Sequence, residues 1–253
     1  MFKSISKPAF HILIVVLLTA LTQVGGLAWL LSRLLRRKFL GFVALYAALS
    51  FASLWAAPLG GRMAVSCVSD SPLQVQSWFY CLSNRTYVRP ELADVLEDAA
   101  AAVDAAYPGT ETLMLDGNLP FLDGFPLLPH LSHDDGKKAD LAFYYRDGKG
   151  GYLPGRTKSP IGFFAFEDGP TDCRAQWPTL RWDLGWLQPY WPSWEIDEAR
   201  TAKLIEALAA DSRVGKILLE PHLKDRLNLN HPKIRFQGCR AARHDDHIHM
   251  QLR

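Results

Sequence analysis

The hydrophobic pattern divides the chain near residue 58. Residues 9–31, AFHILIVVLLTALTQVGGLAWLL, contain no Asp, Glu, Lys or Arg, and neither do residues 39–57, FLGFVALYAALSFASLWAA. Each approaches the roughly 20 apolar residues that a helix needs to cross a bilayer. The first run is too long for the core of a cleaved signal sequence, and a second follows it, so two transmembrane helices are predicted. The alternative is a cleaved signal followed by a buried core helix. Between the runs, Arg33, Arg36, Arg37 and Lys38 form a denser basic cluster than Lys3 and Lys7 before the first. Basic residues in short loops stay cytoplasmic. The expected topology is therefore a multi-pass anchor over residues 1–58, with residues 59–253 outside the cytoplasm.

Past residue 58 the pattern changes to short amphipathic segments. Residues 58–90 read as irregular. Pro90 can open a helix, where its missing N–H costs nothing, and Leu92, Val95, Leu96, Ala99 and Val103 then share one face. Residues 112–115, 139–145, 161–166, 214–219 and 247–253 read as strands, and Asp116-Gly117-Asn118 as a turn. Asp197 can cap a second helix that turns Leu204, Ile205 and Leu208 inward. These elements keep no βαβ rhythm, which predicts an α+β domain with a mostly antiparallel sheet and flanking helices.

Composition changes this picture in two places. Cys67, Cys81, Cys173 and Cys239 form an even set with no CxxC pair. Two disulfides are expected, in any of three pairings. The net charge is only +2, and no basic stripe with interleaved aromatics follows the apolar runs, so nucleic acid is excluded as a partner. The lipid bilayer is the partner that the apolar runs imply. Asn84-Arg85-Thr86 fits a glycosylation triplet, a pattern common by chance. Residues 177–194 hold five tryptophans. Burial in the core is their expected role; stacking on sugars or resting at a membrane interface are the alternatives.

Five of the eight histidines fall in two windows. One is His130-Leu131-Ser132-His133, followed by Asp140. The other is His244-Asp245-Asp246-His247-Ile248-His249. Clustered His and Asp are common metal ligands. Six residues separate His133 from Asp140, which suits a loop entering a strand rather than one helical face. His247 and His249 share a strand face, about 7 Å apart, so one can ligate a metal while the other lies beside it. Two histidines and a carboxylate leave a fourth position open, as catalytic zinc requires. Asp134, Asp135, Asp245 and Asp246 either orient the histidines or form a solvated rim. His222 and His231 read as structural or surface residues.

The blocks FPLLPHLSHDDGKKADLAFYY and RHDDHIHMQL resemble the signature blocks of penicillin-insensitive murein endopeptidases. These belong to the group of lysostaphin-type enzymes, D-alanyl-D-alanine metallopeptidases and hedgehog domains. The shared pattern is His, six residues, Asp, then His-x-His. The resemblance implies zinc ligation by His133, Asp140 and His249, a catalytic role for His247, and additional site-lining positions for His130 and His244. It also implies a small antiparallel sheet flanked by helices, a substrate among the D-amino-acid peptides of peptidoglycan, and thus a multi-pass anchor in a bacterial inner membrane with the domain in the periplasm. The mid-chain Asp–His pair of those enzymes has no clear counterpart. Rival readings are a non-enzymatic zinc module and a peptide or glycan sensor without turnover.

Overall fold

The computed structural model describes residues 6–170, 173–174 and 176–253. Its helices are α1 (Lys7–Thr22), α2 (Gly25–Ser32), α3 (Lys38–Ala56), α4 (Trp78–Leu82), α5 (Pro90–Ala106), α6 (Glu198–Ala210) and α7 (Pro221–Arg226). Its strands are β1 (Met63–Ala64), β2 (Leu73–Val75), β3 (Tyr87–Val88), β4 (Thr112–Met114), β5 (Lys138–Ala142), β6 (Tyr145–Arg146), β7 (Glu195–Ile196), β8 (Val214–Leu218), β9 (Ile234–Arg235) and β10 (His247–Leu252).

The apolar start of the chain does not form two spans. The first run breaks at Gln23, whose φ is 60°, and α2 folds back on α1. The ring of Trp29 comes within 5.9 Å of that of His11. Glycine permits this approach, since a Cβ on Gly26 would lie 2.0 Å from Thr19 Oγ1. The hydroxyl of Thr22 accepts from the Gly25 N–H at 2.9 Å. The 16 residues of α1 rise about 24 Å, short of the ~30 Å hydrocarbon core. Among the described residues one helical stretch, Lys38–Gly60, is long and apolar enough to cross a membrane, with mean hydropathy 1.8. The expected multi-pass inner-membrane topology is thereby overturned, and with it the basis for placing the domain in the periplasm. The helix α3 also touches the domain. Tyr46 Oη donates to the Leu82 carbonyl at 2.5 Å, and the Asn84 amide donates to Ser50 Oγ at 3.1 Å. Asn84 is buried, which removes it as a glycosylation acceptor.

The α+β architecture is present, but its sheet is mixed rather than mostly antiparallel. The six-stranded order is β2-β4-β5-β10-β8-β9. The pairs β4–β5, β5–β10 and β10–β8 run antiparallel, while the outer pairs β2–β4 and β8–β9 run parallel. Strand alternation sorts the central residues. Ala139, Leu141, Ile248 and Met250 join the main core with Leu92, Val95 and Leu96 of α5 and Leu204, Ile205 and Leu208 of α6. Asp140, Ala142, His247 and His249 lie on the other face, where Ala142 packs with Tyr80 and Phe163.

The α5 helix starts at Pro90 as its sequence implies. The N-cap of α6 is Asp197, which accepts from the Arg200 N–H at 3.2 Å. Residues 58–90, expected to be irregular, contain β1, β2, α4 and β3. Residues 161–166 form no strand, because their backbone groups are claimed by side chains instead. The Phe164 N–H donates to Asp246 Oδ2, and its carbonyl accepts from Gln188 Nε2 and Trp191 Nε1. The tryptophan-rich segment is mostly surface: Trp177, Trp182 and Trp186 are 88%, 49% and 71% exposed. Of the five, Trp194 packs against the main core. The disulfides are Cys67–Cys81 and Cys173–Cys239.

Candidate metal centre

The cross-strand register creates the centre of the site. His249 of β10 stands opposite Asp140 of β5, and both side chains leave the sheet on the face away from α5 and α6. His133 reaches them from the loop before β5, which turns at Gly136 with φ 76°. The Gly136 N–H is held by Asn118 Oδ1 at 3.0 Å. His133 Nε2 then lies 3.2 Å from His249 Nδ1 and 3.3 Å from Asp140 Oδ1, while His249 Nδ1 lies 2.8 Å from that same oxygen. All three residues are buried.

These separations fit a metal ion. Bonds of 2.0–2.1 Å in a tetrahedral shell place ligand atoms about 3.3 Å apart. The tautomer of His133 agrees. Its Nδ1 faces the Gly117 carbonyl at 2.7 Å, and a carbonyl can only accept, so Nδ1 carries a proton and Nε2 is the nitrogen placed to ligate a metal. Gly117 is constrained in turn: an added Cβ would lie 2.6 Å from Met114 Cε and 3.1 Å from the Arg85 carbonyl. The group His133, Asp140 and His249 can therefore hold a zinc ion.

A second His/Asp group, Asp116, His130 and Asp140, is built differently. Asp116 is clamped by Arg85, with Nε 2.5 Å from Oδ1 and Nη2 2.7 Å from Oδ2. His130 Nδ1 sits 2.8 Å from Asp116 Oδ2 and 3.2 Å from Asp140 Oδ2. Both Asp116 oxygens are engaged and a guanidinium lies beside them, which disfavours a cation. This second group is a hydrogen-bonded chain from Arg85 through Asp116 to His130, whose ring lies beside the free oxygen of Asp140.

The electrostatics separate the histidines. Burial opposes the charged form of Asp140, but His133, His247 and His130 outweigh it and hold the carboxyl well below the usual range. Burial also disfavours a charged His130, yet Asp116 and Asp140 raise it to about 10. Burial pushes His249 down to about 4 against the pull of Asp140, with repulsion from His133 and His247 added. A neutral imidazole is the form that ligates a metal. Burial, with His247 and His249 adding to it, pushes His244 well down.

His247 stands just outside the group, with Nε2 3.7 Å from Asp140 Oδ1. Its Nδ1 is held by Asp246 Oδ1 at 2.5 Å. Asp246 and Asp140 raise its pKa in spite of burial. Phe163 fixes the neighbouring rings edge-on, 4.4 Å from His130 and 4.9 Å from His247. A cavity of about 250 Å³ opens above, and His130, His133, Asp140, His244, His247 and His249 all line it.

The acidic residues divide. Asp246 orients His247, whereas Asp245 pairs with Arg243, and Asp134 and Asp135 hold Lys138. His222 is buried on α7, and His231 Nδ1 accepts from the Lys233 N–H in a turn. Sequence reasoning missed Arg85, Asp116, Phe163 and Phe164. The doublet Asp116-Gly117 before a metal-type loop was the available signal for the second of these, and it read only as a turn. Comparison with known protein families finds none that matches the chain, and comparison with curated proteins finds none similar to it.

Proposed function

We propose that the chain is a zinc-dependent hydrolase of peptide amide bonds, associated with a membrane through α3. The observation that carries this reading is the convergence of two buried imidazole nitrogens and a buried carboxylate beside His247, in the lining of a cavity. His133, Asp140 and His249 are the proposed ligands. Zinc held by three protein ligands polarises a scissile carbonyl and makes water nucleophilic near neutral pH. Asp246 holds His247 by Nδ1, leaving Nε2 to move a proton or to donate to a developing oxyanion. His130 and His244 complete the lining.

The His-x6-Asp and His-x-His pattern supports a peptide substrate, and its resemblance to murein endopeptidases alone directs that peptide toward peptidoglycan. The test uses the full chain in lipid nanodiscs, incubated with muropeptides and with a mixed peptide pool, with and without a chelator. Mass analysis should find amide cleavage that the chelator abolishes and zinc restores. His247→Ala should keep its zinc and lose about 100-fold or more in turnover. Zinc bound with no cleavage of either pool would reduce the protein to a binding module.

A further inference from the structure

We infer that the cavity over the metal centre is a recognition subsite for an aromatic or branched aliphatic side chain next to an uncharged amide, with Phe164 as its specificity-determining wall. The inference rests on the amide-hydrolase reading and narrows its substrate class. Three observations carry it.

The first is the makeup of the lining. Phe163, Phe164, Phe166, Leu180 and Trp182 give the cavity a large apolar lining beside the histidines, Asp140 and Asp246, with Ser132, Gln237 and Arg243 as the other polar side chains. An apolar side chain gains by burial against those five residues.

The second is the state of the cations. Among the described lining residues Arg243 is the one arginine, and there is no lysine. Its guanidinium is already committed. It bonds Asp245 through Nε at 2.9 Å and Nη2 at 2.5 Å, bonds Asp183 through Nη1 at 3.0 Å, and lies 4.0 Å over the Phe166 ring. His130 Nδ1 is turned away to Asp116 Oδ2 at 2.8 Å. A substrate side-chain carboxylate reaching past the metal centre would find no unmatched arginine or lysine among the described lining residues.

The third is Phe164 itself. Its φ is 66°, a left-handed conformation that a bulky side chain rarely adopts. Such strain persists only where surrounding structure over-determines it, and it concentrates at functional sites. Here the Phe164 N–H donates to Asp246 Oδ2 at 2.5 Å, and its carbonyl accepts from Gln188 Nε2 and Trp191 Nε1 at 2.9 and 2.8 Å. Asp246 bonds His247 with its other oxygen. One carboxylate therefore fixes both the cavity wall and the histidine beside the metal site, which sets the distance from an apolar anchor to the reacting bond.

The experiment compares two hydroxamates that share a metal-binding group and differ in the side arm, 3-phenylpropanoyl hydroxamate and succinyl monohydroxamate. Calorimetric titration of the zinc-loaded full chain in nanodiscs should show the phenyl compound binding about tenfold tighter or more. In Phe164→Gly that preference should largely vanish, because glycine accepts the backbone angle without strain while deleting the wall. Phe164→Leu should keep it. N-acetyl-phenylalanine amide against N-acetyl-aspartate amide repeats the comparison on chelator-treated protein. That pair reads the walls without the metal, so a failure of zinc binding and a failure of the subsite are distinguishable. Equal or tighter binding of the acidic partner in both pairs, or an unchanged preference in Phe164→Gly, overturns the inference.

Discussion

Asp116→Asn tests whether the site is braced from Arg85. The Arg85 and Asp116 side chains are 5% and 1% exposed and joined at 2.5 and 2.7 Å. Arg85 also donates to the Leu128 carbonyl at 2.8 Å, in the loop that carries His130. Asparagine keeps the shape of Asp116 but leaves a buried guanidinium without its counter-charge. Removing one partner of a buried pair costs about 3–5 kcal/mol. That is a large part of the roughly 5–15 kcal/mol that holds a domain folded. At about 2–4 °C per kcal/mol for a domain of this size, the midpoint should fall by about 6–20 °C. Adding Arg85→Met removes the orphaned charge, so the double variant should melt above the level that the two single losses predict. The assay is thermal unfolding of the full chain in detergent, followed by tryptophan fluorescence. A midpoint for Asp116→Asn within about 2 °C of the parent, or simple additivity in the double variant, would refute the bracing argument.

Two further predictions follow from the sheet and its helix cap. The last four residues, 250–253, include Met250 and Leu252, 0% and 2% exposed, on a strand flanked on both sides by β5 and β8. Deleting them removes two core side chains worth about 1.5–3 kcal/mol each, so zinc affinity measured with a chelating dye should collapse although no proposed ligand is deleted; unchanged affinity would show that β10 does not position His249. Burial works against a charged Asp197, but Arg146 at 2.8 Å and Arg200 at 2.6 Å outweigh it and hold the carboxyl below its usual range. A depressed folded pKa stabilises fully above the unfolded value of about 3.9, and that contribution disappears as pH falls through the folded value. Asp197→Asn should therefore be less stable than the parent at pH 7 in urea melts, with the gap closing in acid below about pH 4; a gap independent of pH would contradict the ionic account.

What could be read from the sequence is what short-range physics decides. A strand alternates with period two, so His247 and His249 had to share a face, and a loop from His133 could reach Asp140 at the next strand's start. Pro90 and Asp197 mark helix starts through groups within a turn of themselves. What could not be read depends on distant partners. Whether β2 and β9 run parallel to their neighbours is set by which strands they meet. The apolar run 9–31 has the composition of a span, yet Gln23 and the close contact of Gly26 with Thr19 fold it back. Residues 161–166 form a short apolar run like a strand, but Asp246, Gln188 and Trp191 supply hydrogen bonds to them from far along the chain. Asp116 looks like any turn residue until Arg85 and His130 are brought beside it.

The most direct measurement of the central claim is metal content. The full chain, purified in zinc and washed, should hold one zinc per molecule by elemental analysis. His133→Ala and Asp140→Ala, each confirmed as folded by circular dichroism, should hold none. Full zinc occupancy in either folded variant would contradict the assignment of these residues as the metal's ligands.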